Sequence, residues 1–160
     1  MFRRRSNLFL AAAFAILLSP GNVKGADSSA TRSQIEETIA KVRTGDTIEA
    51  RTTAAIRLYN LTRGRRRASG VDAAAITEIV SLLDSSEEFV RGNVAATLGN
   101  VGPRAKVAVP KLLELLADED CLASDISSAE AIRYALKRLG ARLPPRCREI
   151  HVPPSIKSSP

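Results

Sequence analysis

The chain has 160 residues, 44% apolar, 4% aromatic and 26% charged, with a formal net charge of +7, two Cys and no Trp. That length allows one ordinary domain rather than two, and the apolar share excludes wholesale disorder. Two cysteines are too few for a disulfide-dense miniprotein or a four-ligand structural zinc site, and no apolar run approaches the ~20 residues of a membrane-spanning helix.

Residues 1–25 have the layout of a secretory signal peptide. Arg3, Arg4 and Arg5 precede an unbroken apolar stretch from Leu8 to Leu18, Pro20 and Gly21 break it, and small or modest residues flank a cleavage point after Gly25 or Ala26. No Cys follows the apolar stretch to take a bacterial lipid anchor. Export to a periplasm or the outside is therefore expected, with no stable membrane insertion after cleavage. The leader holds four of the 24 cations and none of the 17 acids, so the remainder carries only +3. Such a charge favours solubility and gives no reason to expect nucleic-acid binding.

A short linker is expected over 26–32, and from there to residue 140 the periodicity is helical throughout, with nothing alternating in twos. The apolar stripes are Ile35, Ile39 and Val42; Ala54, Ala55, Leu58 and Leu61; Ile76, Ile79, Leu82 and Leu83; Val90, Val94, Leu98 and Val101; Leu112, Leu113, Leu115 and Leu116; and Ile132, Ala135, Leu136 and Leu139. Six helices are expected. Ser33 with Glu36, Ser85 with Glu88, and Ser127 with Glu130 have the spacing of capping boxes, and Asp46 is the expected cap of the second helix. Gly102 with Pro103, and Gly140 with Pro144, are stop signals.

The helices repeat as pairs. Sliding the chain until Ile39 falls on Ile79 also places Val42 on Leu82, Arg51 on Arg91, Ala55 on Ala95, Leu58 on Leu98 and Leu61 on Val101, without a gap. A third, less regular copy has about five extra residues in its turn, around Cys121 to Ile126. A period near 40 with two helices per unit points to a helical solenoid. The run from Ser81 to Gly102, with Val90-Arg91, Ala95-Ala96 and Leu98-Gly99, followed by Ala108-Val109-Pro110 and the paired leucines, resembles the HEAT-like repeat family of the phycobilisome-lyase type. The third unit departs from it by lacking Val-Arg. The fold expected is thus all-α, a short right-handed α-α solenoid of about three HEAT-like helix pairs over residues 33–142, with units near 33–66, 71–102 and 105–140.

Residues 143–160 form a proline-rich tail. The last helix is roughly 20 Å long at 1.5 Å per residue, and Ala141 to Cys147 can retrace roughly 23 Å. The tail can therefore return to the turn that holds Cys121, and a Cys121–Cys147 disulfide is expected in an exported protein.

Nothing in the sequence reads as an active site, and the chain is expected not to be an enzyme. The single histidine, His151, lies in the tail. The acids Asp118, Glu119, Asp120 and Asp125 lack the spacing of a calcium loop, and no glycine-rich phosphate loop exists. No cofactor or metal is expected. Basic residues gather at Arg63, Arg65, Arg66 and Arg67 in the loop between units one and two, and at Arg133, Lys137 and Arg138 on the polar side of the last helix. Like charges at 133 and 137 oppose each other on a helix, and an acidic partner surface would relieve them. The function expected is a scaffold that binds a protein or peptide through Arg91, Asn93, Arg133 and Lys137, with Arg91 also a candidate for tying its turn to the neighbouring unit. The same resemblance supplies the alternative, a bilin-lyase-like enzyme or accessory subunit binding a tetrapyrrole.

Overall fold

A computed structural model describes residues 23–119 and 128–146, and among these every regular element is helical. The elements are α1 (Val23–Thr44), α2 (Ile48–Thr62), the single turn α3 (Arg65–Ala68), α4 (Ala73–Ser81), α5 (Glu88–Val101), α6 (Val109–Glu119) and α7 (Ala129–Leu139). Two 3-10 stretches, Leu82–Asp84 and Gly102–Ala108, extend α4 and lead into α6. Residues 1–22, most of the expected leader, lie outside the described residues, as do Cys121 and Cys147, Ser127, Asp120, Asp125 and His151.

The stripes read from the sequence form the interior. Ile35, Ile39, Leu58, Ile79, Leu83, Leu98, Leu112, Leu116, Ile132, Leu136 and Leu139 are each at most 1% exposed. Among the described residues the hydrophobic core is built of Ala, Val, Ile and Leu, and Thr38, Thr62, Thr97, Ser128 and Arg133 are buried beside it. Removing such side chains from water supplies roughly 1.5–3 kcal/mol each, the main stabilising effect in a domain of this size. Helix α1 packs on α2, α4 precedes α5, α6 packs on α7, and α5 lies between α2 and α7. The boundaries recur as the sequence does. Thr44 and Asp84 end the first element of their pairs, and Thr47 and Glu87 are the N-cap residues of α2 and α5, at the same offset as Ile39 and Ile79.

Several local expectations change. The stretch 26–32, expected as a linker, is part of α1, because no Gly or Pro lies between Ala26 and Thr44 to stop the helix. Ser33 therefore sits inside α1 instead of capping it. Thr47, not Asp46, caps α2, its hydroxyl accepting from the Ala50 N–H at 3.1 Å. Asp72 caps α4 through Ala75 N at 2.8 Å. The basic run after Arg63, expected as a loop, contains the turn α3.

The capping box at Ser85 is replaced by a link between helix pairs. Glu87 is the N-cap residue of α5, but its carboxylate accepts from the Ser85 hydroxyl and from the Arg51 guanidinium of α2. These hydrogen bonds hold the Glu87 carboxyl below the usual glutamate range, the Ser85 hydroxyl contributing most and Arg51 next. Glu88 reaches forward, its Oε1 accepting from the backbone N–H of Ser128 at 3.0 Å. On the α1 and α4 side Arg32 meets Asp72 at 2.6 Å, Arg43 meets Glu78 at 3.6 Å, and Lys111 meets Asp84 at 3.0 Å.

Two glycines fix helix ends. Gly140 has φ +76° and ψ +24°, and the Ala141 N–H bonds Leu136 O at 2.9 Å while the Gly140 N–H bonds Lys137 O at 3.2 Å. That is a Schellman ending, which a left-handed glycine makes inexpensive. Gly102, at φ +72° and ψ −148°, turns the chain out of α5 through a region nearly closed to other residues. After Gly140 the chain runs back along α7. Arg133 Nη1 donates to Pro144 O at 3.0 Å, and Arg146 pairs with Glu130, in the first turn of α7, at 2.9 Å.

Candidate functional site

The chain has four Phe and two Tyr; outside the first 25 residues the aromatics are Tyr59, Phe89 and Tyr134. They fall on α2, α5 and α7, the second helix of each pair, and none is in the core. Phe89 is 60% exposed, Tyr134 is 44% exposed and Tyr59 is half-buried. Ile48 and Ile56 of α2 are exposed too. Large rings normally enter the interior, where they remove about 150–250 Å² from water. Here an aliphatic interior leaves every ring of this region beside the buried stripes, on one layer of three adjoining helices.

Two hollows lie on that layer. A shallow one of about 270 Å³ sits between Tyr59, Phe89, Asn93 and Ala131. A larger one of about 700 Å³ lies at the far end of α5 and α7, bordered by Asn100, Pro103, Arg104, Tyr134, Lys137 and Arg138. None of the described residues lining the larger hollow is acidic. Its walls are fixed by backbone contacts. The two terminal nitrogens of Arg104 donate to Val71 O, at 2.8 Å, and to Ala68 O, so the Gly102 turn is tied to the segment before α4. Arg138 Nε donates to Gly99 O at 3.4 Å. A Cβ on Gly99 would lie 3.0 Å from Ala135 Cα and 3.1 Å from the Tyr134 ring, so this glycine sets how closely α7 and its tyrosine approach α5.

The four residues expected to bind a partner do not gather in one place. Arg91 is half-buried, and its Nη1 donates to Ser85 O and Ser86 O, both at 2.9 Å, holding the turn before α5. Asn93 lines the shallow hollow, with Nδ2 donating to Phe89 O at 2.8 Å. Lys137 is exposed and borders the larger hollow. Arg133 is not on a polar face. It is only 7% exposed and turns toward Pro144, because positions 129, 132, 133 and 136 form the inward stripe of α7. Tyr59, Phe89, Tyr134 and Arg104 carry the face and do not figure among the residues expected from the sequence. A signal for the three rings exists there: each stands off an apolar stripe in a chain that has few aromatics. Arg104 has none, since its role depends on the carbonyls of Ala68 and Val71, far back along the chain.

Among the described residues no group of His, Cys, Asp or Glu is arranged to hold a metal ion, and no helix is long and apolar enough to cross a membrane. Compared with protein-family models, curated proteins and solved structures, the chain finds no match in any of the three.

Proposed function

We propose that the chain is an exported, non-catalytic interaction module, a short right-handed solenoid of HEAT-like helix pairs whose α2–α5–α7 layer docks a protein or peptide. One observation carries this reading: all three aromatics outside the expected leader stand on that layer instead of in the core. Rings held on a rigid helical surface are the anchors that dominate protein interfaces. The recurrence of helix ends at the offset of the sequence repeat supports the repeat architecture. Export rests on the Arg-led apolar segment of residues 1–25.

A Cys121–Cys147 disulfide belongs to the same proposal. The contacts of Pro144 with Arg133 and of Arg146 with Glu130 return the tail toward the start of α7, the end at which the segment carrying Cys121 joins that helix. Closing the loop would contribute about 3–4 kcal/mol in the chain-entropy model.

The test is a photo-crosslinking residue placed at Phe89 of the full chain, expressed with its leader in a secreting host and recovered from the exported fraction. A discrete crosslinked partner, lost when Tyr59 and Tyr134 are both changed to Ala, is the expected result. Recovery of the chain only from the cytosol, or crosslinks indifferent to the two tyrosines, would overturn it. A spectral shift on adding a tetrapyrrole would favour the lyase-like alternative instead.

A further inference from the structure

We infer that the larger hollow takes an acidic peptide segment, its carboxylates meeting Lys137, Arg138 and Arg104 while an apolar side chain rests on Tyr134; this deepens the docking reading above and depends on it.

The argument is one of charge and its compensation. Elsewhere in the fold Arg32, Lys41, Arg43, Arg51, Lys111 and Arg146 each meet a carboxylate of the chain. At the hollow three cations converge with no acid among the described residues of the lining. Two of the three are held in place. Arg104, which lines the hollow, is fixed by Val71 O and Ala68 O, and a guanidinium carries five donors, so three remain for other acceptors. Arg138 is anchored through Nε, leaving both terminal nitrogens, the bidentate fork that matches a carboxylate. Lys137 is exposed and adds a third charge on a flexible stem. Three convergent cations raise the local potential and are relieved by an anion.

The shape favours a peptide over a small inorganic anion. A space of about 700 Å³ is far larger than one oxyanion requires, and one flank is apolar, formed by Tyr134, Val101, Pro103 and Ala68. Tyr134, Lys137 and Arg138 stand at i, i+3 and i+4 on α7 and so share one face. A segment that places an apolar side chain on the ring and carboxylates one turn further on would satisfy both flanks together. Nucleic acid suits the hollow less well, since its bases would find one ring where successive stacking platforms are needed.

The experiment uses the full mature chain, isotope-labelled for amide NMR, and a synthetic peptide of alternating Glu and Leu, with its Gln-and-Leu counterpart as the neutral probe. The acidic peptide is expected to shift the amides of residues 100–102, 104 and 134–138 and to bind at least about tenfold more tightly than the neutral one at low salt, the difference shrinking as salt is raised. Lys137→Glu together with Arg138→Glu, both exposed side chains, is expected to abolish the difference while leaving the circular dichroism unchanged. Equal binding of the two peptides, shifts elsewhere on the surface, or indifference to the double charge reversal would overturn the inference. The general docking reading would survive those results if the Phe89 crosslink still captured a partner. Loss of the crosslink with retention of acidic-peptide binding would uphold docking at the hollow and confine the docking surface to that end of the layer. Titration with inorganic phosphate separates the cases further, because phosphate binding as tight as that of the peptide would mark a simple anion site and overturn the peptide assignment.

Discussion

Arg51 and Arg91, which superimpose in the sequence repeat, make the same turn-closing contact: each donates a guanidinium N–H to the carbonyl six residues before it, Arg51 to Gly45 O at 2.7 Å and Arg91 to Ser85 O at 2.9 Å. The sequence repeat is therefore a repeat of physical contacts as well as of apolar spacing. Arg51 also reaches the carboxylate of Glu87 in the next pair, so a single side chain closes its own turn and joins two pairs.

Replacing Arg51 by Ala removes both functions and leaves the Gly45 carbonyl without this donor. A loss of about 1–2 kcal/mol is expected, read as a lower urea midpoint with an unchanged slope. Arg51→Lys is expected to recover only part of it, because an ammonium cannot span the carbonyl and the carboxylate as a planar fork does.

The Glu87 carboxyl is held below the usual glutamate range by Ser85 and Arg51. A group whose folded-state value is depressed contributes stability that is full above the unfolded value, about 4.3, and fades as pH falls through the lower folded value. The wild-type chain should therefore lose part of its stability on acidification below about pH 4. Glu87→Gln should be less stable than wild type at neutral pH, with the gap closing in strong acid. Urea midpoints of the two proteins under both conditions would show it; a gap independent of pH would mean that Glu87 stabilises through something other than its charge.

Two glycines of α5 should respond in opposite directions to the same change. At Gly99 an added methyl meets Ala135 Cα at 3.0 Å and the Tyr134 ring at 3.1 Å, so α7 must move away. Gly99→Ala is expected to cost about 1–3 kcal/mol despite the better helix propensity of Ala. At Gly92 the nearest atom would be Ser128 Cβ at 3.4 Å, an ordinary contact. Gly92→Ala is expected to be neutral or to stabilise by up to about 1 kcal/mol. Thermal unfolding of the pair measures the difference directly.

Mass spectrometry checks the covalent proposal. Protein recovered outside the cytosol of a secreting host should accept no alkyl group at Cys121 or Cys147 before reduction and two after it. Uptake of two groups without reductant would remove the bond, and with it the loop-closure contribution.

Most of the interior was legible because helical periodicity depends only on local spacing. Stripes such as Ile76, Ile79, Leu82 and Leu83 needed no tertiary knowledge, and all four are buried. The glycine stops at 102 and 140 were legible for the same reason, since left-handed endings have a residue preference of their own. Caps were harder. Ser85 and Glu88 have the right spacing for a local box, yet Glu87 and Glu88 turn to neighbouring helix pairs, and such distant partners leave no mark in a short window. Arg133 was misplaced by its charge, although its position at i+4 from Ala129 and i−3 from Leu136 put it on the inward stripe. The charge pattern gives only part of the candidate face, Lys137 and Arg138 at the larger hollow; the rest of its signal is carried by the sparse aromatics, each one step away from a buried stripe.

A hydrophobic core that holds no aromatic ring among the described residues has an optical consequence. Without Trp, and with Tyr59 and Tyr134 both outside the core, tyrosine emission arises from the α2–α5–α7 layer and reports little on the packing beneath it. On the proposed docking role this emission should change when a partner settles on α7, and barely change in folded core variants that melt many degrees earlier.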